Sequence, residues 1–283
     1  SAASVAAQST SRPRIAVLDL GNGGFGVQAA DALHAALSAE NQLLLLDRDQ
    51  SRAAARGIGY TGSLNMTLSE ARDLGAAIGC DFFVTGIAET LRRSASDRPI
   101  YYESCASILL VSARSGRLVG WQRPSFEAST PAAAERPLRS ALVETNARQW
   151  FVQRVIQAGA FERDERARVV ESGVPIIEEV PEDESRARGL QNPRPYRRLR
   201  PAYPDSAARA EAEATIDALA DIDEKGEVGQ IRIVRWGGFG LDEATEQTIR
   251  QLHFYPAMRD GKPVPMRVLL RYNFRKPPPD AKH

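Results

Sequence analysis

The hydrophobic pattern of this chain is interrupted between residues 159 and 202. On either side of that stretch, apolar residues recur at the spacings of strands and helices. Within it, the apolar periodicity fades, and an acidic block is followed by a basic block that contains prolines. The members are Glu178, Glu179, Glu182, Asp183, Glu184, Arg186, Arg188, Pro193, Arg194, Pro195, Arg197, Arg198, Arg200 and Pro201. Because proline breaks helices and favours extended chain, this stretch is predicted to be a linker. Within the 283 residues we therefore predict two small α/β modules, residues 12–158 and 203–275, and the fold class α+β.

The first module, residues 12–158, alternates strand and helix signals in the order β-α-β-α-β-β-β-α. Strands are predicted at Arg14–Leu20, at 42–47, from Cys80 onward and at 101–116, and the chain after Gly116 is predicted to pair back as a hairpin arm. One helix follows the first strand. A second begins at a Ser69 cap with Glu70 in its first turn and ends at Gly79, and a third has Pro137 in its first turn and runs to about Gln157. This order predicts a mixed sheet with helices.

A glycine-rich turn, GNGGFG, follows the first strand and matches G-x-G-x-x-G at Gly21, Gly23 and Gly26. With Asp47 ending the next predicted strand, this is the context of a dinucleotide fingerprint. Asp19, however, would bring a carboxylate towards a pyrophosphate, and an antiparallel hairpin follows where a second βαβ crossover is needed. We therefore favour a flexible strand-to-helix turn and keep nucleotide binding as an alternative.

Composition excludes several classes of function. A net charge of +1 provides no global field for nucleic acid, and no apolar run approaches the length of a membrane span. His34, His253 and His283 are scattered, so no metal site is expected, and no catalytic residue or cofactor is predicted. Cys80 and Cys105 are either two small buried side chains or a single disulfide.

The two ends of the chain are predicted to be tails. The small-residue start, residues 1–11, is typical of a mature protein after removal of a signal peptide, although a trimmed chain would look the same. Ser1 offers no cysteine for a lipid anchor. At the other end, residues 276–283 are rich in proline, which cannot extend a strand ladder.

The first module resembles the N-terminal domain of TolB and the CsgG and LpoB-like outer-membrane assembly factors over residues 12–125. The resemblance depends on the opening IAV strand, a DR pair, a glycine-flanked strand and a turn in the later hairpin. The matching residues are Asp47, Arg48, Gly79, Asp81, Thr85, Gly86, Ser115 and Gly116. This resemblance implies a periplasmic partner-binding module without catalytic residues.

The second module, residues 203–275, combines a short helix after Pro204, strands at 215–223 and 230–236, an amphipathic helix and a last strand ending at Phe274. Leu241, Ala244, Thr248 and Leu252 are predicted to form the apolar face of that helix. A turn is predicted at Asp260 and Gly261.

Seventeen positions of the second module resemble the TonB C-terminal domain family. They are Tyr203, Pro204, Ile222, Asp223, Gly226, Val228, Gly240, Leu241, Asp242, Phe254, Pro256, Ala257, Gly261, Lys262, Pro263, Val264 and Phe274. The resemblance implies a three-stranded antiparallel sheet with helices that binds a partner peptide by adding a strand to an exposed edge. The predicted binding edge comprises Met266, Arg267, Val268, Leu269, Leu270, Arg271 and Tyr272. Members that transduce energy carry an N-terminal transmembrane helix and a long proline-rich spacer, and this sequence shows neither.

These resemblances predict a periplasmic, non-catalytic docking or structural subunit on the periplasmic face of a larger membrane complex for transport, secretion or bioenergetics. It would be peripheral to the membrane and would not bind nucleic acid. Arg194, Arg197, Arg198 and Arg200 are interpreted either as part of a solvated tether or as a docking strap for an acidic protein or an anionic lipid surface. The alternatives are a TonB-type energy transducer that contacts outer-membrane receptors by strand addition, and a nucleotide-binding enzyme that uses GNGGFG.

Overall fold

The computed structural model describes residues 12–95, 98–169, 177–179, 181 and 189–276. Several predictions fall outside these residues. They concern the N-terminal tail 1–11, the proline-rich tail from residue 277, and part of the charged linker, namely Glu182, Asp183, Glu184, Arg186 and Arg188.

The described residues form a mixed α+β fold, which confirms the predicted class. The helices are α1 (Gly24–Ser38), α2 (Arg48–Gly57), α3 (Leu68–Ile78), α4 (Pro131–Val143), α5 (Thr145–Val169), α6 (Asp205–Ala210) and α7 (Leu241–Ile249). The strands are β1 (Arg14–Leu20), β2 (Leu44–Leu45), β3 (Met66–Thr67), β4 (Phe82–Ala95), β5 (Arg98–Ser112), β6 (Leu118–Gln122), β7 (Ser125–Ala128), β8 (Ile177–Glu178), β9 (Leu190–Gln191), β10 (Arg194–Pro195), β11 (Ala214–Ile222), β12 (Val228–Trp236), β13 (Phe254–Tyr255), β14 (Ala257–Arg259), β15 (Lys262–Val264) and β16 (Met266–Phe274).

The chain divides into two compact units, each assembled from separate segments. The first unit contains the described residues up to Gly62, Leu74–Arg114 and Arg123–Ala158. The second contains Ser63–Asp73, Ser115–Gln122 and the described residues from Gly159 onward.

The first unit is built on a mixed sheet. β1 pairs in parallel with β2 on one side and with β4 on the other, while β4 and β5 form a long antiparallel hairpin onto which β7 adds. The run RIAVLDL is apolar almost throughout because β1 is a central strand, and four successive residues from Ile15 are buried. α1 buries Ala29, Ala30, Leu33 and Leu37, as its helical spacing requires.

Three local predictions in the first half of the chain were wrong. The strand expected at 42–47 is only Leu44–Leu45. The chain instead enters α2 at Arg48, a helix that was not predicted. Asp47 caps this helix, because its carboxylate accepts the Gln50 N–H. α3 is capped by Thr67, not Ser69, since Thr67 and Glu70 bond each other's backbone N–H groups.

The helix predicted to have Pro137 in its first turn begins earlier. Thr130 caps α4 through the Ala133 N–H, Pro131 occupies the first turn and Pro137 lies inside the helix. A separate helix, α5, then runs to Val169 and includes the start of the predicted linker.

The second unit contains a five-stranded sheet in the order β3-β12-β11-β16-β8. Its three central strands are antiparallel, as predicted, and two-residue strands lie outside them. α7 packs on this sheet through Leu241, Thr245 and Ile249, with Leu252 buried just beyond its end. The predicted apolar face is therefore corrected at Ala244 and Thr248, because the buried positions follow an i, i+4 spacing from Leu241.

Gly226 illustrates why some motif positions of the second unit serve the fold. It has a φ of +85°, and a Cβ there would lie 1.8 Å from the carbonyl oxygen of Phe254. The Phe254 N–H in turn donates to the Gly226 carbonyl at 2.9 Å. Only glycine permits this close approach in that backbone conformation.

Both cysteines are free and buried, which decides between the two alternatives left by the sequence. Burial raises the pKa of Cys80 to about 12 and that of Cys105 to about 11, so both thiols are protonated near neutral pH. Among the residues described, no helix is both long and apolar enough to cross a membrane, and no cluster of His, Cys, Asp or Glu could hold a metal ion.

Candidate partner-binding edge of the second unit

β16, the strand predicted to bind a partner, has one side fully paired. It is antiparallel to β11 in unbroken register from Met266 opposite Ile222 to Phe274 opposite Ala214. Because backbone N–H and C=O groups alternate in direction along a strand, every second residue of β16 faces away from β11. Arg267 and Leu269 belong to the outward set, since both make backbone hydrogen bonds on that side.

The beginning of this outer edge is occupied by the chain itself. β8 lies parallel to β16, with Ile177 opposite Met266 and Glu178 opposite Arg267. The Glu179 N–H donates to the Arg267 carbonyl at 2.8 Å, and the Leu269 N–H donates to Glu179 Oε2 at 3.2 Å. A partner strand could therefore not reach the edge between Met266 and Leu269 without displacing residues 177–179.

Beyond Leu269 the edge is open in the part of the chain that the structure describes. No described strand pairs with β16 on this side after the β8 contact. Alternation from Arg267 and Leu269 places the N–H and C=O groups of Arg271 and Asn273 on the same outward side. The open half thus presents two residues whose backbone groups are directed at an incoming strand.

The side chains of the seven predicted edge residues divide between the two faces of the sheet. Val268 is buried, and Leu270 and Tyr272 are half-buried, in the core cluster that contains Phe254, while Met266 is buried in a separate cluster with Leu190 and Ala257. Leu269 lies on the solvent face with 48% of its surface exposed. Leu269 is therefore the apolar side chain in this set that is accessible to a partner.

Arg267 and Arg271 also lie on the solvent face, but intramolecular ion pairs hold both. Arg267 donates to both oxygens of Asp221 at 2.6 and 2.9 Å, and Arg271 does the same to Asp217. Hydrogen bonding from Arg271 lowers the pKa of Asp217, and Arg235 adds to that effect from β12. These arginines fix the register of the sheet and are not free cations for a partner.

Asp217 and Asp221 were not predicted from the sequence as partners of this edge. A signal was present, because Asp217 and Asp221 are four residues apart in β11, as Arg267 and Arg271 are in β16. Two strands with such spacing place opposite charges in register when they pair antiparallel.

The four arginines of the predicted strap, Arg194, Arg197, Arg198 and Arg200, are all exposed on the second unit. Arg194 lies in β10, which pairs antiparallel with β13. Among the described residues, none of the four guanidinium groups forms an ion pair with a carboxylate. The strap is therefore a cationic segment attached to the folded unit along β13.

Asp242, one of the motif positions, holds the start of α7. Its carboxylate accepts the N–H groups of Gly237 and Gly238 at 3.0 and 2.8 Å. Burial raises its pKa to about 7. Asp242 also borders a cavity of about 300 Å³ that is lined by Trp121, Trp236 and Ile231, among others. Its hydrogen bonds to the adjacent turn give it a structural role.

The glycine-rich turn of the first unit has a packing explanation. A Cβ on Gly26 would lie 2.0 Å from the carbonyl oxygen of Leu20, so glycine lets α1 approach β1 closely. Asp19 is bonded by Arg48 and Arg52 at 2.7 and 2.9 Å. A cleft of about 460 Å³ borders the turn, with Asp19 in its lining. Close packing thus explains Gly26 and a φ of +87° explains Gly21 without a nucleotide, whereas a Cβ on Gly23 would meet nothing within 4 Å.

Residues 200–275 match the model of the family described as Gram-negative bacterial TonB protein C-terminal. We assign that stretch to the TonB C-terminal domain family, as its seventeen motif positions predicted. A search of the curated proteins finds no match to the chain.

Several solved structures of bacterial proteins are similar to parts of this chain. The Pseudomonas aeruginosa TonB C-terminal domain is 20% identical, with a TM-score of 0.27, and the match covers 32% of this chain and 91% of that one. A Neisseria meningitidis lipoprotein is 17% identical, with a TM-score of 0.34, over 46% of this chain and 95% of that one. The Salmonella enterica LpoB C-terminal domain is 16% identical, with a TM-score of 0.29, over 40% of this chain and 82% of that one. The likeness of residues 12–125 to TolB and CsgG stays a prediction.

Proposed function

We propose that this protein is a periplasmic, non-catalytic docking subunit whose TonB-like unit captures a strand of a partner protein on the open half of β16. The partner would belong to a membrane complex for transport, secretion or energy conversion. The protein would lie on the periplasmic face of that complex without crossing the bilayer.

One observation carries this proposal: the outward backbone groups of Arg271 and Asn273 have no strand partner among the described residues. An extended peptide placed there would continue the ladder of β11 and β16 by one strand. Leu269 would supply an exposed apolar contact next to the new strand. Main-chain hydrogen bonds would provide affinity, and side-chain contacts would provide selectivity.

The assignment of residues 200–275 to the TonB C-terminal family supports a second candidate that uses the same edge. In this alternative, the protein is a TonB-type transducer that contacts outer-membrane receptors. The two candidates differ in the partner: a β-barrel receptor would support the transducer, whereas integral proteins of an inner-membrane assembly would support the structural subunit.

A pair of substitutions at Asn273 tests the strand-addition mechanism. Asn273→Pro removes the outward N–H, whereas Asn273→Ala retains it and removes only the side-chain hydrogen bond with Thr215. Proline is tolerated on an edge strand when its nitrogen faces outward. We expect the proline variant to bind its partner about fivefold more weakly or worse, because one ladder bond contributes about 1 kcal/mol. The alanine variant should bind like the wild type.

The measurement uses the tagged chain extracted from membranes in mild detergent, with native mass and protein identification. Wild type and Asn273→Ala should recover the same stoichiometric set of integral membrane proteins, and Asn273→Pro should recover less of it at an unchanged free energy of unfolding. Equal recovery with all three chains would contradict strand addition on β16. A lone monomer from wild-type membranes would contradict the docking function itself.

A further inference from the structure

The arginine strap, residues 194–200, gives the second unit a surface patch that carries only positive charge. Residues 190–203 contain four arginines and no aspartate or glutamate. All four arginines are exposed, and within the described residues none has a carboxylate partner. On the same unit, by contrast, Arg267 and Arg271 are neutralised by Asp221 and Asp217. The strap therefore carries positive charge that the fold itself does not use.

The backbone of the strap is fixed to the unit at several points. Arg194 and Pro195 pair with Tyr255 and Phe254, and the Tyr196 N–H donates to the His253 carbonyl at 2.8 Å. Leu199 packs against the core cluster that contains Phe254. Because apolar and backbone contacts alternate with the arginines, the guanidinium groups are displayed to solvent from an ordered chain.

Two tyrosines stand beside these arginines. The rings of Tyr196 and Tyr255 are 4.4 Å apart between centroids, and each residue is 59% exposed. Neither ring is needed to fill the core, since Phe254, adjacent to Tyr255, already does so. An exposed pair of amphipathic rings next to unpaired cations is unusual for a surface that contacts only water.

We propose that Arg194, Arg197, Arg198, Arg200, Tyr196 and Tyr255, here called the arginine–tyrosine surface, bind an anionic phospholipid bilayer. Guanidinium groups bind phosphate oxygens in bidentate fashion, and a cluster of basic residues is attracted to an anionic membrane. Tyrosine rings prefer the level of the lipid headgroups, where the ring is shielded and the hydroxyl stays hydrated.

A lipid surface fits these residues better than an acidic protein does. The arginines are spread along an extended segment and do not gather in a pocket. This spacing suits the many separate phosphate groups of an anionic bilayer. An acidic protein partner gives no particular reason for two adjacent tyrosines with more than half of their surface in water. The inference is independent of strand addition, because β16 contributes no residue to this surface.

The test measures sedimentation of the full chain with vesicles of phosphatidylglycerol and phosphatidylethanolamine in equal amounts, against phosphatidylcholine vesicles. The wild type should bind only the anionic vesicles, with an affinity that falls as salt rises. The combined variant Arg194→Gln, Arg197→Gln, Arg198→Gln and Arg200→Gln should bind at least tenfold more weakly, since each basic residue contributes roughly fivefold.

Three further chains make the result specific. The variant Arg56→Gln, Arg72→Gln, Arg136→Gln and Arg139→Gln removes the same charge from exposed positions elsewhere and should bind like the wild type. Replacement of the four strap arginines by lysine keeps the charge and should preserve most of the binding. Tyr196→Ser with Tyr255→Ser should weaken the binding that remains at high salt.

Absence of wild-type binding to the anionic vesicles would overturn the proposal and would leave an acidic protein as the occupant of the strap. Equal losses from the strap variant and the matched charge variant would also overturn it, because net charge alone would then explain the binding. These vesicles contain no protein, so neither result bears on capture of a partner strand by β16.

Discussion

Asp217 shows how a single buried carboxylate organises the solvent face of the second unit. Its side chain is 6% exposed and accepts hydrogen bonds from Arg271 on β16 and Arg235 on β12. It therefore connects the three central strands through one anion. An unpaired cation at Arg271 would attract acidic peptides to the proposed edge. Because Arg271 is paired with Asp217, binding of a partner there would depend on the backbone and on Leu269.

This pairing predicts a pH-dependent contribution to stability. Asp217→Asn should lower the free energy of unfolding by about 1 kcal/mol at neutral pH, a modest effect because the arginine partners are partly solvated. The pKa of Asp217 is lowered in the folded state, chiefly by hydrogen bonding from Arg271. Its stabilisation is thus present above the unfolded-state pKa of about 3.9 and is lost as the pH falls through the lower folded-state value.

Denaturant unfolding of the wild type and Asp217→Asn, from neutral pH down to about pH 3, measures this difference. The difference in free energy of unfolding between the two chains should disappear only at the acidic end of this pH range. Asp73→Asn, at an exposed position, serves as the control and should leave stability unchanged across the range. A gap that persists in full below the unfolded-state pKa would show that charge on Asp217 is not its source.

Among the elements, the short strand β8 bears most directly on the proposed function. It places three residues of the chain on the edge that a partner strand would use, and Ile177 packs against the cluster of Leu190, Ala257 and Met266. Such an intramolecular strand would compete with the proposed partner for the first half of β16. The open half, near Arg271 and Asn273, would then be where a partner makes first contact.

We predict that Ile177→Ala combined with Glu179→Ala loosens β8 and exposes the rest of the edge. Loss of the Glu179 acceptor should accelerate hydrogen exchange at the Leu269 amide about fivefold or more, since one hydrogen bond contributes about 1 kcal/mol. The Val268 and Leu270 amides face β11 and provide internal controls that should not change. If the Leu269 amide of the wild type already exchanges as fast as that of Arg271, β8 does not protect this edge.

The elements also show which features the sequence could predict. Long apolar or alternating runs such as β1, β11 and β16 were found because their patterns repeat over seven to nine residues. The helix α2 was missed, since a run of apolar residues just before it was interpreted as a strand that continued to Asp47. β8 was missed because a two-residue strand has no period, and only its tertiary contact with β16 defines it.

The candidate site was predicted in part for the same reason. The seventeen motif positions located the TonB-like domain and its last strand. They carried no information on residues 177–179, which lie outside the matched stretch, nor on the acidic partners of Arg267 and Arg271 in β11. Occupancy of an edge depends on residues distant in sequence, and local patterns do not report such contacts.

At the scale of the whole molecule, the second unit is larger than the stretch that matches the TonB family. Asn65 donates to the carbonyls of Thr215 and Trp236 at 2.9 and 2.7 Å, and its own side-chain oxygen accepts the Thr215 N–H. The Trp236 indole N–H donates to the Gly116 carbonyl at 2.9 Å. Segments from the first half of the chain therefore complete the hydrogen bonding at one end of β11 and β12.

A fragment of residues 200–275 should consequently be less stable than the same residues in the full chain. Trp236 is the only tryptophan of that fragment, and in the full chain it is 1% exposed. The fragment lacks Asn65, Gly116 and β3, so the indole N–H and the Trp236 carbonyl lose their partners. We expect its tryptophan emission to lie at longer wavelength than in a full chain carrying Trp121→Phe and Trp150→Phe, in which Trp236 is again the sole tryptophan.

Asn65→Ala in that single-tryptophan full chain separates the two causes of instability. It deletes three hydrogen bonds but leaves Gly116 in place, so its unfolding midpoint should fall between those of the parent chain and the fragment. If the fragment instead matches the parent chain in both its emission wavelength and its unfolding midpoint, residues 200–275 fold independently. The additional segments would then add nothing to the stability of the TonB-like domain. If it does not match, the proposed partner-binding edge depends on the first half of the chain, because β16 pairs with β11, and Asn65 holds β11 at Thr215 beside β12.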